Sequence, residues 1–177
     1  MEMGILNLKS KTAHKYIKKQ PKNTTNLELS SVNKIQTVVV IAEVDLFKTY
    51  DFTKKLSENL RIDKNNIKVI LLTNDSNEKA FEFYEVFSEK SFGLNGKLNN
   101  ESLKNMVDAP SDLLINYCSE ATVYGQVLTC RSKAKLKVGF ENEYAYLYNL
   151  TIQLPGNKID TFNNEIVKYL EILNLLK

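Results

Sequence analysis

Lysine is the residue type whose spacing points most clearly to a chemistry in this chain, the binding of negative charge. Six lysines and one acid, Glu2, lie within the first 22 residues, which gives this N-terminal arm a formal charge of +5. The whole chain carries +3, so the remainder sums to −2. A basic arm ahead of a nearly neutral body is typical of a protein that binds a polyanion. The lysines of the arm are Lys9, Lys11, Lys15, Lys18, Lys19 and Lys22.

A second basic segment covers residues 131–137. If this segment forms a strand, its alternate lysines project to one face, while Ala134 and Leu136 project to the other. Such a row of cations can follow the phosphates of a nucleic acid. The same pattern also occurs on edge strands, where lysines prevent aggregation, and the sequence leaves both interpretations open. The cations concerned are Arg131, Lys133, Lys135 and Lys137.

Histidine usage excludes several classes of enzyme. The only histidine, His14, lies in the arm, so no imidazole is available within the main domain for a serine or cysteine nucleophile system. Zinc hydrolases would need several nitrogen or thiolate ligands, and only Cys118 and Cys130 add to this single histidine. We therefore predict no catalytic residues and no metal ligands. The two cysteines are expected to be reduced thiols, as in a cytoplasmic protein, and a disulfide between them is the less favoured alternative.

The arm itself reads as a short helix over residues 8–20, which Pro21 ends. Within it, Lys11, Lys15, Lys18 and Lys22 recur at spacings of four, three and four residues, so they should form one stripe. Residues 23–33 are polar without a sustained period and read as a linker.

From residue 34 onward, apolar strand-like segments alternate with helical ones. Five segments read as buried strands, at residues 35–42, 67–73, 112–117, 134–140 and 148–154. Helices are predicted over residues 51–60, 101–107 and 121–131, and at the C-terminus, where Phe162, Ile166, Tyr169, Leu173 and Leu176 form an apolar stripe. Residues 81–92 are ambiguous but favour a short strand around Tyr84. This alternation predicts an α/β fold, a three-layer Rossmann-like sandwich with a mostly parallel sheet of about five strands. The domains are then the basic arm and linker, residues 1–33, and a single α/β domain, residues 34–177.

The carboxyl ends of the predicted strands offer an alternative site. In open α/β sheets, ligands bind beyond these ends, where this chain has Asp45, Asp75 and Asn116. A small-molecule site or an enzymatic acid–base pair would use such groups, whereas helix capping and turn formation also explain them. No glycine follows the first strand, where the sequence from Glu43 to Phe47 is EVDLF. The sequence therefore argues strongly against a dinucleotide cofactor, and no cofactor is predicted.

Several longer segments resemble a known bacterial family. They are FSEKSFG at 87–93 with Gly96-Lys97, DLLINY at 112–117, SKAKLKVGF at 132–140 and KYLEILN at 168–174. The chain from about residue 34 is similar to a family catalogued as a domain of unknown function, associated with a lineage-restricted protein of the large ribosomal subunit. The resemblance implies an α/β fold and a setting on ribosomal RNA, beside neighbouring ribosomal proteins. It implies no catalytic residues.

The sequence therefore predicts a non-enzymatic, cytoplasmic RNA-binding protein that is associated with the ribosome. The longest apolar run, at residues 38–42, is far too short for a transmembrane helix, and no signal peptide is expected. Binding to a membrane surface is not expected either, since it would depend on the few apolar residues of the arm, Ile5, Leu6, Leu8 and Ile17.

Overall fold

The fold is organised around one twisted sheet of seven strands, in the order β3-β4-β2-β1-β5-β6-β7. The structure is a computed structural model that describes residues 2–21, 32–75, 80–154 and 158–176, with side chains from residue 8 onward. The strands are β1 Val38–Glu43, β2 Ile67–Leu72, β3 Ala80–Phe81, β4 Tyr84–Phe87, β5 Ser111–Asn116, β6 Ala134–Phe140 and β7 Leu150–Ile152. All neighbours pair in parallel except β3 and β4, which form an antiparallel hairpin.

Six α-helices are seen among the described residues. They are α1 Glu2–Lys18, α2 Val44–Thr49, α3 Phe52–Leu60, α4 Glu101–Asp108, α5 Val123–Arg131 and α6 Ile159–Ile172. Two of them begin after a residue whose side chain caps the helix. The Asp51 carboxylate accepts a hydrogen bond from the Lys54 N–H at 2.9 Å, and the Asn100 amide oxygen accepts one from the Leu103 N–H at 2.9 Å.

The sheet contributes to two separate hydrophobic cores, one on each face. Because successive residues of a strand point to opposite faces, Val38 and Val40 enter the first core and Val39 and Ile41 enter the second. The first core is completed by α3 and α6, and the second by α1, α4 and α5. Strand β1 is therefore apolar from Val38 to Ala42 because both of its faces are covered, as the continuous apolar run predicted.

Helix α1 packs on the second core. Its residues Ala13 and Ile17, one turn apart, are fully buried, and the Tyr146 hydroxyl donates a hydrogen bond to the Ile17 carbonyl oxygen at 3.2 Å. The Tyr16 ring lies on Gly96, in the loop that follows β4. The arm helix is thus part of the packed structure. The predicted linker lies almost entirely outside the described residues, so the division of the chain at residue 33 stays a prediction.

The α/β fold with a mostly parallel sheet is confirmed, and all five predicted strands are present. The sheet has seven strands instead of about five because residues 80–87 add the hairpin β3–β4, in which β4 pairs in parallel with β2. The two-residue strand β3 is too short to show an alternating pattern. Helix α2, which has only six residues, was not predicted either.

Two expectations about individual elements are wrong. Tyr169 in α6 and Leu173, which directly follows the helix, are 44% and 46% exposed, while Leu170 is buried with Phe162 and Ile166. The helix therefore presents a narrower apolar face to the core than the sequence stripe implied. The alternative that β6 is an edge strand is also wrong, because β6 pairs with both β5 and β7.

We expect Gly96→Ala to loosen the packing of α1 and to lower the free energy of unfolding by roughly 2 kcal/mol. Gly96 has a positive φ of 68°, and an added Cβ would lie 2.6 Å from Cδ1 of the Tyr16 ring. Urea denaturation measures the change. Gly93→Ala is the matched control, because Gly93 has a negative φ of −102° and its added Cβ would lie 3.0 Å from the amide end of the exposed Asn99 side chain and 3.3 Å from the Lys97 Cβ. Equal effects of the two substitutions would contradict this description of the α1 packing.

Candidate nucleic-acid interface

The outer side of α1 carries an exposed row of lysines. Lys11, Lys15 and Lys18 are exposed, whereas Ala13 and Ile17 on the opposite side of the helix are buried. A rise of about 1.5 Å per residue separates Lys11 from Lys15 by about 6 Å along the axis, and Lys15 from Lys18 by about 4.5 Å. The predicted stripe is confirmed for these three residues, which we call the α1 lysine row.

The other lysines of the arm differ in their surroundings. Lys9 is half-buried, and its ammonium donates a hydrogen bond to the Glu89 carbonyl oxygen at 3.4 Å. Lys19 is exposed just beyond the end of the helix, and Lys22 lies outside the described residues. Lys15 and Lys18 also lie in the last helical turn, where positive charge stabilises the helix dipole whether or not a ligand binds.

Two members of the second basic segment lie at the C-terminal end of α5. Arg131 is half-buried, and its guanidinium donates a hydrogen bond to the Gly96 carbonyl oxygen at 3.3 Å. Because the Tyr16 ring packs on the same glycine, Arg131 lies next to the C-terminal half of α1. Lys133 is exposed in the short connection to β6.

Lysines 135 and 137 are on β6, where burial alternates as predicted. Ala134, Leu136 and Val138 are buried, while the two lysines are half-buried on the other face. The Lys135 ammonium is bound to the Asp112 carboxylate at 3.0 Å. The four cations of this segment therefore do not form a uniform free row.

Asp112 has a structural role at the start of β5. Its carboxylate accepts hydrogen bonds from the Lys135 ammonium, from the Gln36 N–H at 3.1 Å and from the Thr37 N–H at 3.0 Å. Partial burial opposes ionisation, but the hydrogen bond from Lys135 and those from Gln36 and Thr37 outweigh it and lower the pKa of Asp112. Lys135 thus fastens two strands together.

A cavity of about 390 Å³ lies at the carboxyl ends of β1, β2 and β4, as the topology rule predicts. Asp45 and Asp75, two of the predicted strand-end residues, line this cavity together. Its wall also includes Glu89, Thr122 and Tyr124, which the sequence analysis missed. No local pattern marks these three, because they reach the cavity from a loop and from the start of α5, which are distant from β1 in the chain.

Glu43 occupies the position between β1 and β5 where ligand anions often bind in such folds. Its carboxylate accepts hydrogen bonds from the Ser119 N–H at 3.2 Å, from the Ser119 hydroxyl at 2.9 Å and from the Thr122 hydroxyl. Thr122 is the residue directly before α5. The chain therefore supplies its own anion at the start of this helix.

Asn116 does not line the strand-end cavity; it is fully buried in a polar network. Its amide nitrogen donates to the Thr129 hydroxyl at 3.1 Å and to the Tyr148 hydroxyl at 2.9 Å, while its oxygen accepts from the Cys118 N–H at 2.9 Å. The structure thus separates Asn116 from Asp45 and Asp75. The hydrogen bonds of the Asn116 side chain therefore link β5, α5 and the segment before β7.

Both cysteines are free thiols. Burial raises the pKa of Cys118, and it raises the pKa of Cys130 to about 12. Among the residues that the structure describes, no group of three or more His, Cys, Asp or Glu side chains is arranged to hold a metal ion. None of the helices in these same ranges has the length and apolar character needed to cross a membrane.

Comparison with known proteins identifies the family of the chain. A model of a family of unknown function, DUF6913, matches residues 9–173, and the chain belongs to this family. The match includes the part of α1 that packs on the second core. No curated protein and no solved structure matches the chain.

The hydrogen bonds of Asp112 predict a stability effect that depends on pH. Asp112→Asn should lower the free energy of unfolding by roughly 1–3 kcal/mol at neutral pH, because the charged acceptor is lost. The pKa of Asp112 is lower in the folded than in the unfolded chain, so the stabilisation is present above the unfolded value, about 4. The stabilisation is lost as the pH falls through the pKa that Asp112 has in the folded chain.

Urea denaturation at pH 7 and at about pH 3 checks this prediction. Wild type and Asp112→Asn should become more similar in stability at the lower pH. Asp45→Asn is the control, since the Asp45 side chain is 98% exposed. A difference between wild type and Asp112→Asn that does not narrow in acid would contradict the assignment.

Proposed function

We propose that this protein is a non-enzymatic RNA-binding protein, and that it binds RNA through the α1 lysine row. The observation that supports the proposal best is the fixed orientation of the row, since Ala13 and Ile17 are buried against the second core on the other side of the helix. Contacts of lysine with phosphate give affinity and position without reading base sequence.

The packing of α1 favours binding because it removes part of the entropic cost. A lysine on a disordered arm must lose backbone and side-chain freedom when it meets a phosphate. The lysines of a packed helix have already lost the backbone part. Lys11, Lys15, Lys18 and Lys19 are exposed, and four phosphate contacts correspond to a salt slope of about −3.

The finer parts of the proposal concern setting and architecture. The resemblance described above supports a bacterial protein that is associated with ribosomal RNA of the large subunit and with neighbouring ribosomal proteins, and hence a cytoplasmic location. The two cores, with helices in each, support a three-layer, Rossmann-like arrangement. Insertion of α1 into a membrane is disfavoured, because Ile17 is fully buried within the protein.

Substitution of the α1 lysine row tests the proposal. Lys11→Gln, Lys15→Gln and Lys18→Gln together should weaken RNA binding on the order of 100-fold at ~0.15 M salt and reduce the salt slope by about 2 to 3. Fluorescence anisotropy with a mixed-sequence RNA hairpin measures both quantities. Deletion of the arm is a poorer test, because it would uncover the second core and destabilise the fold.

The matched control is the triple variant Lys54→Gln, Lys55→Gln and Lys68→Gln, which loses the same charge at exposed positions on α3 and β2. This control variant should retain wild-type affinity for RNA. In sedimentation with ribosomes, the control variant should likewise behave like wild type, and the α1 triple variant should bind more weakly. Equal losses in the two triple variants would show a nonspecific charge effect and contradict the proposal, as would a wild-type protein that binds no RNA.

A second candidate function is supported by the strand-end cavity. Its volume of about 390 Å³ is within the range of small-molecule sites, and hydroxyls of Thr73 and Tyr124 offer hydrogen bonds beside the carboxylates. This protein would then bind, or act on, a small polar ligand.

A thermal-shift screen with nucleotides and metabolites tests this candidate. A true ligand at about 100 times its Kd should raise Tm by roughly 5–10 °C. Asn74→Trp, at an exposed position that lines the cavity, should abolish the shift, whereas Asn164→Trp on α6 should not. The candidate fails if no compound stabilises the protein or if the Asn74→Trp variant responds like wild type.

A further inference from the structure

The loop that follows β4 packs along one flank of α1 and carries two exposed lysines, Lys90 and Lys97. Lys90 and Lys97 were not predicted to bind RNA, because they lie far from the arm in the chain. Contacts at both ends of the loop fix its position beside α1.

At the N-terminal half of α1, the Lys9 ammonium donates to the carbonyl oxygen of Glu89, which directly precedes Lys90. Further along, the Asn95 N–H donates to the Thr12 hydroxyl at 3.2 Å. The Tyr16 ring then packs on Gly96, which directly precedes Lys97. The loop therefore follows α1 from Lys9 to Tyr16, a length of about 10 Å along the axis.

The two flanks of α1 meet different charges. Thr12 and His14 are the chain neighbours of buried Ala13, so at about 100° per residue they lie on opposite flanks. The loop lies beside Thr12, whereas His14 Nδ1 lies 2.6 Å from the hydroxyl of Tyr144. Glu143, which is exposed, directly precedes Tyr144. Burial raises the pKa of Tyr144, and the carboxylates of Glu143 and Glu120 raise it further.

The basic flank also includes an acid, Glu89, whose position bears on the charge of this flank. Glu89 lines the strand-end cavity, at the carboxyl ends of the strands. At the other end of the loop, Arg131 is bound to the Gly96 carbonyl oxygen. Lys90, Lys97 and Arg131 thus add positive charge on this flank of α1, while Glu143 lies next to Tyr144 on the opposite flank.

We infer that the RNA-binding surface continues from the α1 lysine row across the loop to Lys90 and Lys97, and that it stops at the acidic flank beside Glu143. This inference rests on the proposed function and adds the direction in which the RNA strand lies. RNA is favoured as the ligand because a polyanion gains from the basic flank and is repelled by the acidic one. With two further contacts, the salt slope of the wild type becomes about −4 to −5.

The test combines a double variant with lysine footprinting. Lys90→Gln with Lys97→Gln should weaken binding of the mixed-sequence RNA hairpin by roughly 20-fold at ~0.15 M salt and reduce the salt slope by about 1.5. Acylation of lysines, read by mass spectrometry on the full chain with and without RNA, should show protection of Lys90 and Lys97. The control lysines Lys54, Lys55 and Lys68 should remain reactive. Glu143→Gln should leave binding unchanged or strengthen it.

The results distinguish a failure of this inference from a failure of the proposed function. If the double variant binds like wild type and Lys90 and Lys97 stay reactive while the α1 triple variant loses affinity, the inference is wrong and the proposed function stands. If the wild type binds no RNA, both are wrong. If polyglutamate protects the same lysines as strongly as RNA does, the surface is a general polyanion site and the assignment to RNA is overturned.

Discussion

The burial of one side of α1 is the interaction on which the functional account depends. Ile17 is fully buried, which contributes about 1.5–3 kcal/mol from the removal of its apolar side chain from water. Because Ala13 and Ile17 must face the second core, the helix can present Lys11, Lys15 and Lys18 only to solvent. Hydrophobic packing thus sets the direction of the charge, and the polar contacts of Thr12 and His14 on the two flanks fix the rotation of the helix.

The strand ends show how the same residue types serve structure elsewhere in the fold. Glu43 accepts hydrogen bonds from Ser119 and Thr122 at the start of α5, and Asn116 is saturated by a buried network. Asp112 holds the start of β5 through Lys135 and the backbone of Gln36 and Thr37. These side chains are therefore bound within the protein, where they hold strands and helix ends in place.

The parts of the fold that could be predicted from sequence are those in which a local pattern reflects its surroundings. Strand β1 is apolar from Val38 to Ala42 because both faces are covered, and a helix begins after Asn100 because the Asn100 side chain caps it. Tyr169 was misplaced because an apolar residue at helical spacing need not be buried when its neighbour Leu170 faces the core better. The positions of Lys90 and Lys97 in the loop beside α1, and of Tyr124 and Asp75 in the wall of one cavity, could not be predicted. They depend on loops and helices that are brought together only by the order of strands in the sheet.

Amide hydrogen exchange of the free, full-length protein tests the central claim most directly. If α1 is packed on the second core, the amides of Lys15 to Lys18, whose hydrogen bonds lie within the packed turns, should exchange slowly, with protection approaching that of the buried helix α5. Exchange of these amides at the rate of an unstructured peptide, while α5 remains protected, would contradict the account. In that case the lysines would belong to a free arm, and no fixed row would exist.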